Sequence, residues 1–412
     1  MQPYYFPVIK GLGNRLDGYF DYRIKDTDEA IAHGTSTDGG LTWSIDGVKL
    51  RLNGTCPADD ASTNAGGNGD NGQGHPFVMT VPARDEHPGL TPKRFLYTLD
   101  RVSPVGDSGG LTIHDITRGF SGLNDIEPVT TGTPVPPGIE QTSGLQNPDG
   151  ILGVVPGTGA NVNTNPTKIL YLKKVKGSKS SPATGLDTTK LCTDSQSQPY
   201  TSKKANYDRD ELRIATTADG KTFTDGGAVS GLNNPDDNAS LGGFRYVGPN
   251  GTILRLLDGS FGLFFSGGGC QDGDSDAYHF IGYAHSRDAV HWTVDNGATN
   301  PLVQVDYTYP TTSPQKYYAG RVYNPQVILN GLGSATLIFS GYRTGKPLPD
   351  VGTGLGVPTA YTPVATEAAN YRTIMVQPLR FCLSGILPPG LPPNDDTDHP
   401  GTFPLICAPP PH

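Results

Sequence analysis

The chain contains no uninterrupted apolar run of about 18 residues, the length a membrane-spanning helix needs, so no membrane span is expected. Charge is scarce at 17% of residues, and glutamate is scarcer: of 40 acidic residues only six are Glu (29, 86, 127, 140, 211, 367). Glu suits helix interiors, whereas Asp bonds its own backbone and suits turns. That imbalance excludes a fold built on long helices. Basic residues are too few for a phosphate-binding surface. With 31 Lys and Arg and a net charge of −9, nucleic acid is excluded as the main partner, because it requires clustered cations. The Lys-bearing run from Lys173 to Lys204 is interrupted by Ser, Gly and Pro and reads as a solvated loop. The five cysteines (56, 192, 270, 382, 407) form no CxxC or other metal spacing. Gly352-x-Gly354-x-Gly356 lacks the strand-to-helix setting of a dinucleotide loop.

What the chain does have is turn formers. Its 55 Gly and 37 Pro exceed a fifth of all residues, which points to many short strands. Met1-Gln2-Pro3 leads straight into strand-like residues, so no signal peptide is expected within the given residues. Low Lys, abundant Asp and Tyr and scattered cysteines nonetheless suggest a secreted protein.

The segment "GTSTDGGLTWS" (34–44) holds Ser36-x-Asp38-x-Gly40-x-Thr42-Trp43, and it has two relatives. They are Thr217-x-Asp219-Gly220-x-Thr222-Phe223 and Ser286-x-Asp288-x-x-x-Trp292. Each follows a short apolar strand and precedes another. A hydroxyl, an Asp and a small residue at this spacing close a tight turn, with Asp accepting backbone N–H groups and the aromatic packing beneath. Apolar strands recur upstream at 94–101, 168–174, 261–267 and 335–341, and inner strands at 74–81, 146–155, 244–254 and 323–329. Residues 1–55 supply one more unit. The expected fold is all-β, a five-bladed β-propeller over 1–390 with four antiparallel strands per blade. Its blades are expected near 1–58, 70–130, 140–235, 240–305 and 318–390, with a Pro-rich tail, 391–412, packed on the body.

These turns resemble the Asp-box. The whole pattern resembles the five-bladed propeller glycosidases of the arabinanase/xylosidase, invertase and levansucrase type, well in blades 1, 3, 4 and 5 and weakly in blade 2. The resemblance implies an acid/base carboxylate site at the central channel. It also places a catalytic Asp or Glu near the start of inner strands, often before Pro. Here those positions are His75-Pro76, Asn147-Pro148 and Asn324-Pro325, none of them acidic.

Strand direction alternates within a blade, so the Asp turns open on one face and the inner-strand starts on the other. Asp38, Asp219 and Asp288 are therefore expected to be structural. On the channel face the candidates are Asp70 and Asp149 as base or nucleophile and Glu140 or Glu211 as acid, because glycoside hydrolysis needs one carboxyl of each kind. His75, Asn147, Asp210, Arg245, Tyr246, Arg321, Tyr323 and Asn324 are expected to bind sugar hydroxyls or stack on rings. Asp272, Asp274 and Asp276 alternate like the oxygen ligands of a calcium loop, though without the closing Glu of an EF-hand.

Cys192 and Cys270 fall on one face and can pair. Cys382 and Cys407 bracket the tail and can pin it, which leaves Cys56 single. The expected protein is a monomeric, secreted glycoside hydrolase acting on a carbohydrate, with no required cofactor. The rivals are a non-catalytic binding propeller and a sialidase-like enzyme using Tyr317 or Tyr318 with Arg321 and Arg343.

Overall fold

The computed structural model describes residues 6–11, 13–25, 28–51, 71–82, 92–101, 110–118, 140–159, 164–178, 180–184, 209–233, 247–256, 258–267, 278, 280–297, 301–304, 322–331, 334–342, 372–382 and 405–407. These form strands and turns. Blade 1 comprises β1 (Val8–Lys10), β2 (Leu16–Lys25), β3 (Asp28–Ser36) and β4 (Ser44–Arg51). Blade 2 comprises β5 (Asn71–Val81), β6 (Lys93–Arg101), β7 (Thr112–Asp115) and β8 (Glu140–Gln141). Blade 3 comprises β9 (Pro148–Val154), β10 (Thr167–Val175), β11 (Arg209–Thr217) and β12 (Phe223–Ala228). Blade 4 comprises β13 (Thr252–Arg255), β14 (Phe261–Gly267), β15 (Phe280–Ser286) and β16 (Thr293–Asn296), with β17 (Val303–Gln304) also against β15. Blade 5 comprises β18 (Val322–Gly331), β19 (Ser334–Tyr342), β20 (Arg372–Cys382) and β21 (Leu405–Cys407). The result is a five-bladed β-propeller.

Five apolar cores explain why the blades close into a ring, because each core is shared by two consecutive blades. Tyr19 and Ile31 meet Leu96 and Ile116 between blades 1 and 2. Phe95 and Tyr97 meet Ile151 and Tyr171 between blades 2 and 3. Leu170 and Leu172 meet Phe265 and Trp292 between blades 3 and 4. Phe264 and Tyr283 meet Leu337 and Phe339 between blades 4 and 5. Phe6 and Phe20 meet Ile338 between blades 5 and 1. A central strand therefore buries both faces, as in "FGLFFSG" of β14, where six of seven residues are buried. Outer strands alternate, with β12 reading buried, exposed, partly buried and so on.

Polar bonds complete the ring. The Phe6 N–H donates to Asn324 Oδ1 at 3.0 Å, and Asn324 Nδ2 donates to the Phe6 carbonyl at 2.8 Å. The Val8 N–H donates to Gln326 Oε1 at 3.1 Å. These bonds join the first described residues to the last blade.

The three Asp turns share one bonding scheme. Asp38 accepts the Thr42 N–H at 2.9 Å, Asp219 the Lys221 and Thr222 N–H groups at 2.8 Å each, and Asp288 those of Val290 and His291 at 2.8 Å each. Ser36, Thr217 and Ser286 each donate a hydroxyl to that Asp. The Trp43 and Trp292 indoles donate to Gly40 and Ala289 carbonyls within their own turns. Hydrogen bonds from the Thr42 hydroxyl and N–H and the Ser36 hydroxyl hold the Asp38 carboxyl down at about 2.

A backbone clamp locks two of these turns to the segment that ends the blade before. Ser143 bonds both Lys221 and Phe223, and Ser230 bonds both Val290 and Trp292, through backbone N–H and C=O groups. The segments align as "SGLQNPD" (143–149) and "SGLNNPD" (230–236). Leu145 and Leu232 of these segments are buried in the interblade cores.

Two features depart from the expected blades. Glu140 and Gln141 are the outer strand of blade 2, pairing with Ile113 and Thr112, rather than the approach to blade 3. The outer strand of blade 5 comes from the tail and runs parallel to β20, where an antiparallel strand was expected.

His114 of β7 gives a pH-dependent term. It is buried beside the Thr98 hydroxyl at 3.2 Å, and burial pushes its pKa from 6.5 down to about 4. The unfolded chain takes up this proton near pH 6.5 and the folded one only near pH 4, so stability is lost as pH falls between those values. The loss from this group is about 3 kcal/mol. Urea unfolding at pH 6.5, 5.5 and 4.5 is expected to show this decline, and His114→Gln to flatten it. An equal slope in both proteins would remove His114 as the cause.

Candidate active site on the channel face

Each inner strand begins on the face opposite the Asp turns. At four of these starts a non-glycine residue adopts a left-handed backbone: His75 (φ 48°), Asn147 (43°), Asn250 (58°) and Asn324 (60°). Asn is among the residues that tolerate this region best. Three of the four precede Pro, and the ladder skips His75-Pro76 and Asn324-Pro325 as bulges. A Pro has no N–H to give a ladder, so the bulge is where a strand can hold one.

These bulges put the residues expected to bind sugar into structural roles. Asn324 and Tyr323 are completely buried, and Asn324 grips the backbone of residue 6. His75 is buried with Nδ1 against the Asp149 carbonyl at 2.6 Å, tying blade 2 to blade 3. Asn147 Nδ2 donates to the Lys174 carbonyl at 2.8 Å, and the Lys174 N–H donates to the Asn147 carbonyl at 2.9 Å. Backbone thus engages the Asn324 amide, the Asn147 amide nitrogen and one His75 ring nitrogen, while Tyr323 is buried.

The Asn147 lock has a second effect: it sets Lys174 at the end of β10. From there its Nζ lies 3.6 Å from Asp149 Oδ2 and 3.6 Å from Asp210 Oδ1. Side-chain exposure falls from 20% at Lys174 to 14% at Asp149 and 2% at Asp210. The register Lys174↔Asp210 between β10 and β11 fixes the pairing. Two candidate carboxylates thus converge around one ammonium on the channel face. Lys174 was not singled out by sequence because it lies in a run that resembles a solvated loop. The available signal was its place as the last residue but one of an apolar strand, opposite an acidic one.

The two expected acids lie elsewhere. Glu140, on β8, is half exposed and ion-paired with Lys221 of the 219 turn. It sits with the turn face because its segment closes blade 2. Glu211 alternates with Asp210 along β11 and so faces the other side of the sheet. There it binds Arg209 at 2.9 Å and Arg213 at 2.5 Å. Burial raises its pKa, but hydrogen bonds and charge from both guanidiniums outweigh that and leave it below the usual value. A carboxylate held ionised by two cations is a poor proton donor. The network continues through Arg213 to Asp225, and Asp225 accepts the Tyr171 hydroxyl at 2.9 Å. Burial, aided by that carboxylate, pushes Tyr171 up to about 12.

Asp70, Arg245, Tyr246, Arg321 and the acidic run Asp272, Asp274 and Asp276 lie outside the described residues, as do Tyr317, Tyr318, Arg343, Cys56, Cys192 and Cys270. Among the described residues no group of three or more His, Cys, Asp or Glu can hold a metal ion, and no helix is long and apolar enough to cross a membrane.

No protein-family model matches the chain, and no curated protein matches it. Solved structures similar to it include an N-acetylgalactosamine deacetylase from F. plautii in complex with blood group B trisaccharide. That pair is 13% identical over 91% of this chain and 88% of the other, with a TM-score of 0.47. A putative exo-β-1,3-galactanase from Bifidobacterium bifidum s17 is 14% identical over 92% and 88%, with a TM-score of 0.45. A GH43 β-xylosidase/α-arabinofuranosidase from a compost microbial metagenome is 13% identical over 98% and 94%, with a TM-score of 0.45.

Proposed function

We propose that the protein is a glycan-active hydrolase whose reaction takes place on the channel face of blade 3. The observation that carries this reading is the convergence of Asp149 and Asp210 on Lys174. Asp149 is the more exposed of the two and takes the role of base or nucleophile. Asp210 is nearly enclosed and holds Lys174 in place. The proton donor must then be a third carboxyl on this face. Glu140 is held by Lys221 and Glu211 by two arginines, so neither is proposed as that donor. The substrate is a poly- or oligosaccharide, and the composition supports a secreted protein.

A second reading is favoured by a specific observation. The inner-strand starts carry His75, Asn147, Asn250 and Asn324, and three of these side chains are tied to backbone. A propeller that binds glycans without cleaving them has no need of acids there. Incubating the protein with a panel of polysaccharides and aryl glycosides separates the readings, with released reducing ends and binding measured in parallel. Hydrolysis of any member is the expected result. Binding without release supports the second reading, and neither binding nor release on the whole panel overturns both.

A further inference from the structure

Blade 5 completes itself in an unusual way. Its third strand, β20, is 11 residues long and would be an open edge, the kind of strand that pairs with other chains when left uncovered. The strand that covers it, β21, is only three residues long and arrives from the C-terminal tail. Residues 383–404, between the two, include six prolines. A three-residue parallel strand contributes few hydrogen bonds, too few to hold its own segment in place.

The register supplies what the hydrogen bonds lack. Arg380 pairs with Leu405, Phe381 with Ile406, and Cys382 with Cys407. Register partners in adjacent strands share a face of the sheet and stand about 4.7–4.9 Å apart. A disulfide needs Cα atoms about 4.4–6.8 Å apart. Of 412 residues only five are cysteines, and two of them meet at one register position.

We propose that Cys382 and Cys407 form a disulfide that fastens the C-terminal strand to blade 5. The oxidant is a small-molecule disulfide of the glutathione type. One cysteine thiolate attacks it, giving a mixed disulfide and releasing one thiol. The second cysteine thiolate then displaces the other thiol as the protein S–S bond forms. The protein loses two electrons and two protons, and the external disulfide becomes two thiols. The cross-link constrains the unfolded chain through the closed loop and keeps the edge of β20 covered. This inference does not rest on the proposed hydrolase activity.

The test uses the full chain equilibrated with oxidised glutathione, alkylated, digested without reductant and mapped by mass spectrometry. A cross-linked peptide pair containing Cys382 and Cys407, lost on reduction, is expected. Alkylation of both residues, or a link from either to Cys56, Cys192 or Cys270, overturns the proposal. Cys407→Ser under the same conditions is expected to lower Tm by about 4 °C, from the loop-closure entropy of a segment this long. An unchanged Tm overturns the stabilising role. If that variant does not fold, the mass map of the unaltered protein decides.

Discussion

Alanine at Gly231 is expected to destabilise the propeller by about 3–5 kcal/mol, one of the largest effects available to a single methyl group here. Two costs combine. Gly231 has φ +85°, where an L-residue is strained, and a Cβ there would lie deep inside the van der Waals radius of the Trp292 carbonyl oxygen. Relief requires the clamp to move, which breaks the bonds from Ser230 to Val290 and Trp292. Trp292 belongs to the core shared by blades 3 and 4, so the disturbance reaches the blade interface. Gly144 is the same position one blade earlier, with φ +84° and its blocking oxygen on Phe223, and the same outcome is expected for Gly144→Ala. Gly39 is the control. Its φ is +76° but nothing lies within 4 Å of its Cβ position. Gly39→Ala is expected to cost only the backbone term, about 1 kcal/mol. Denaturant unfolding of the variants decides, and equal losses at Gly231 and Gly39 would refute the steric account.

Asp149→Asn is expected to lower glycan turnover by about 10²–10⁴-fold, the usual contribution of a positioned acid or base, with the fold intact. Asparagine keeps the shape of the side chain, and Lys174 retains Asp210 as an ionic partner. The ammonium is therefore not left as an uncompensated enclosed charge, the situation that makes breaking such a pair costly. Glu140→Gln serves as the contrast, because among the described residues Glu140 pairs with Lys221 and its side chain is 54% exposed. It is expected to leave turnover unchanged. Assays on whichever panel member is cleaved, with Tm recorded for each variant, provide the check. Full turnover in Asp149→Asn would exclude Asp149 from the chemistry, and a large loss in Glu140→Gln would return the acid role to it.

These expectations show where local sequence was informative. The Asp turns were legible because each is made within about eight residues: Ser36, Asp38 and Thr42 bond one another and need no distant partner. Repeating that turn three times sets the blade register and, through strand alternation, the two faces. Middle strands such as "FGLFFSG" were equally legible, since burial on both sides demands a continuous apolar run.

The candidate site was only half legible. Asp149 and Asp210 stood out as acids on loops of the correct face, but Glu211 stood out equally, and one step along β11 separates it from Asp210. Side chains in a strand point alternately to opposite faces, so that single step carries Glu211 to two arginines and Asp210 to Lys174. Glu140 was misplaced because blade 2 takes its outer strand from residues 140–141, after a long interval in which no periodic signal marks the strand.

By itself, then, the sequence determined the all-β class, the repeated turn and the number of blades, because those follow from contacts a few residues apart and from their repetition. Tertiary structure alone decided which polar residues are functional candidates. His75, Asn147 and Asn324 are hydrophilic in sequence, yet each caps backbone 27 to 318 residues away. Lys174 looked like surface, yet it joins two carboxylates from different strands. A polar side chain is free to act on a ligand only if the folded backbone does not claim it first, and that is settled by long-range register.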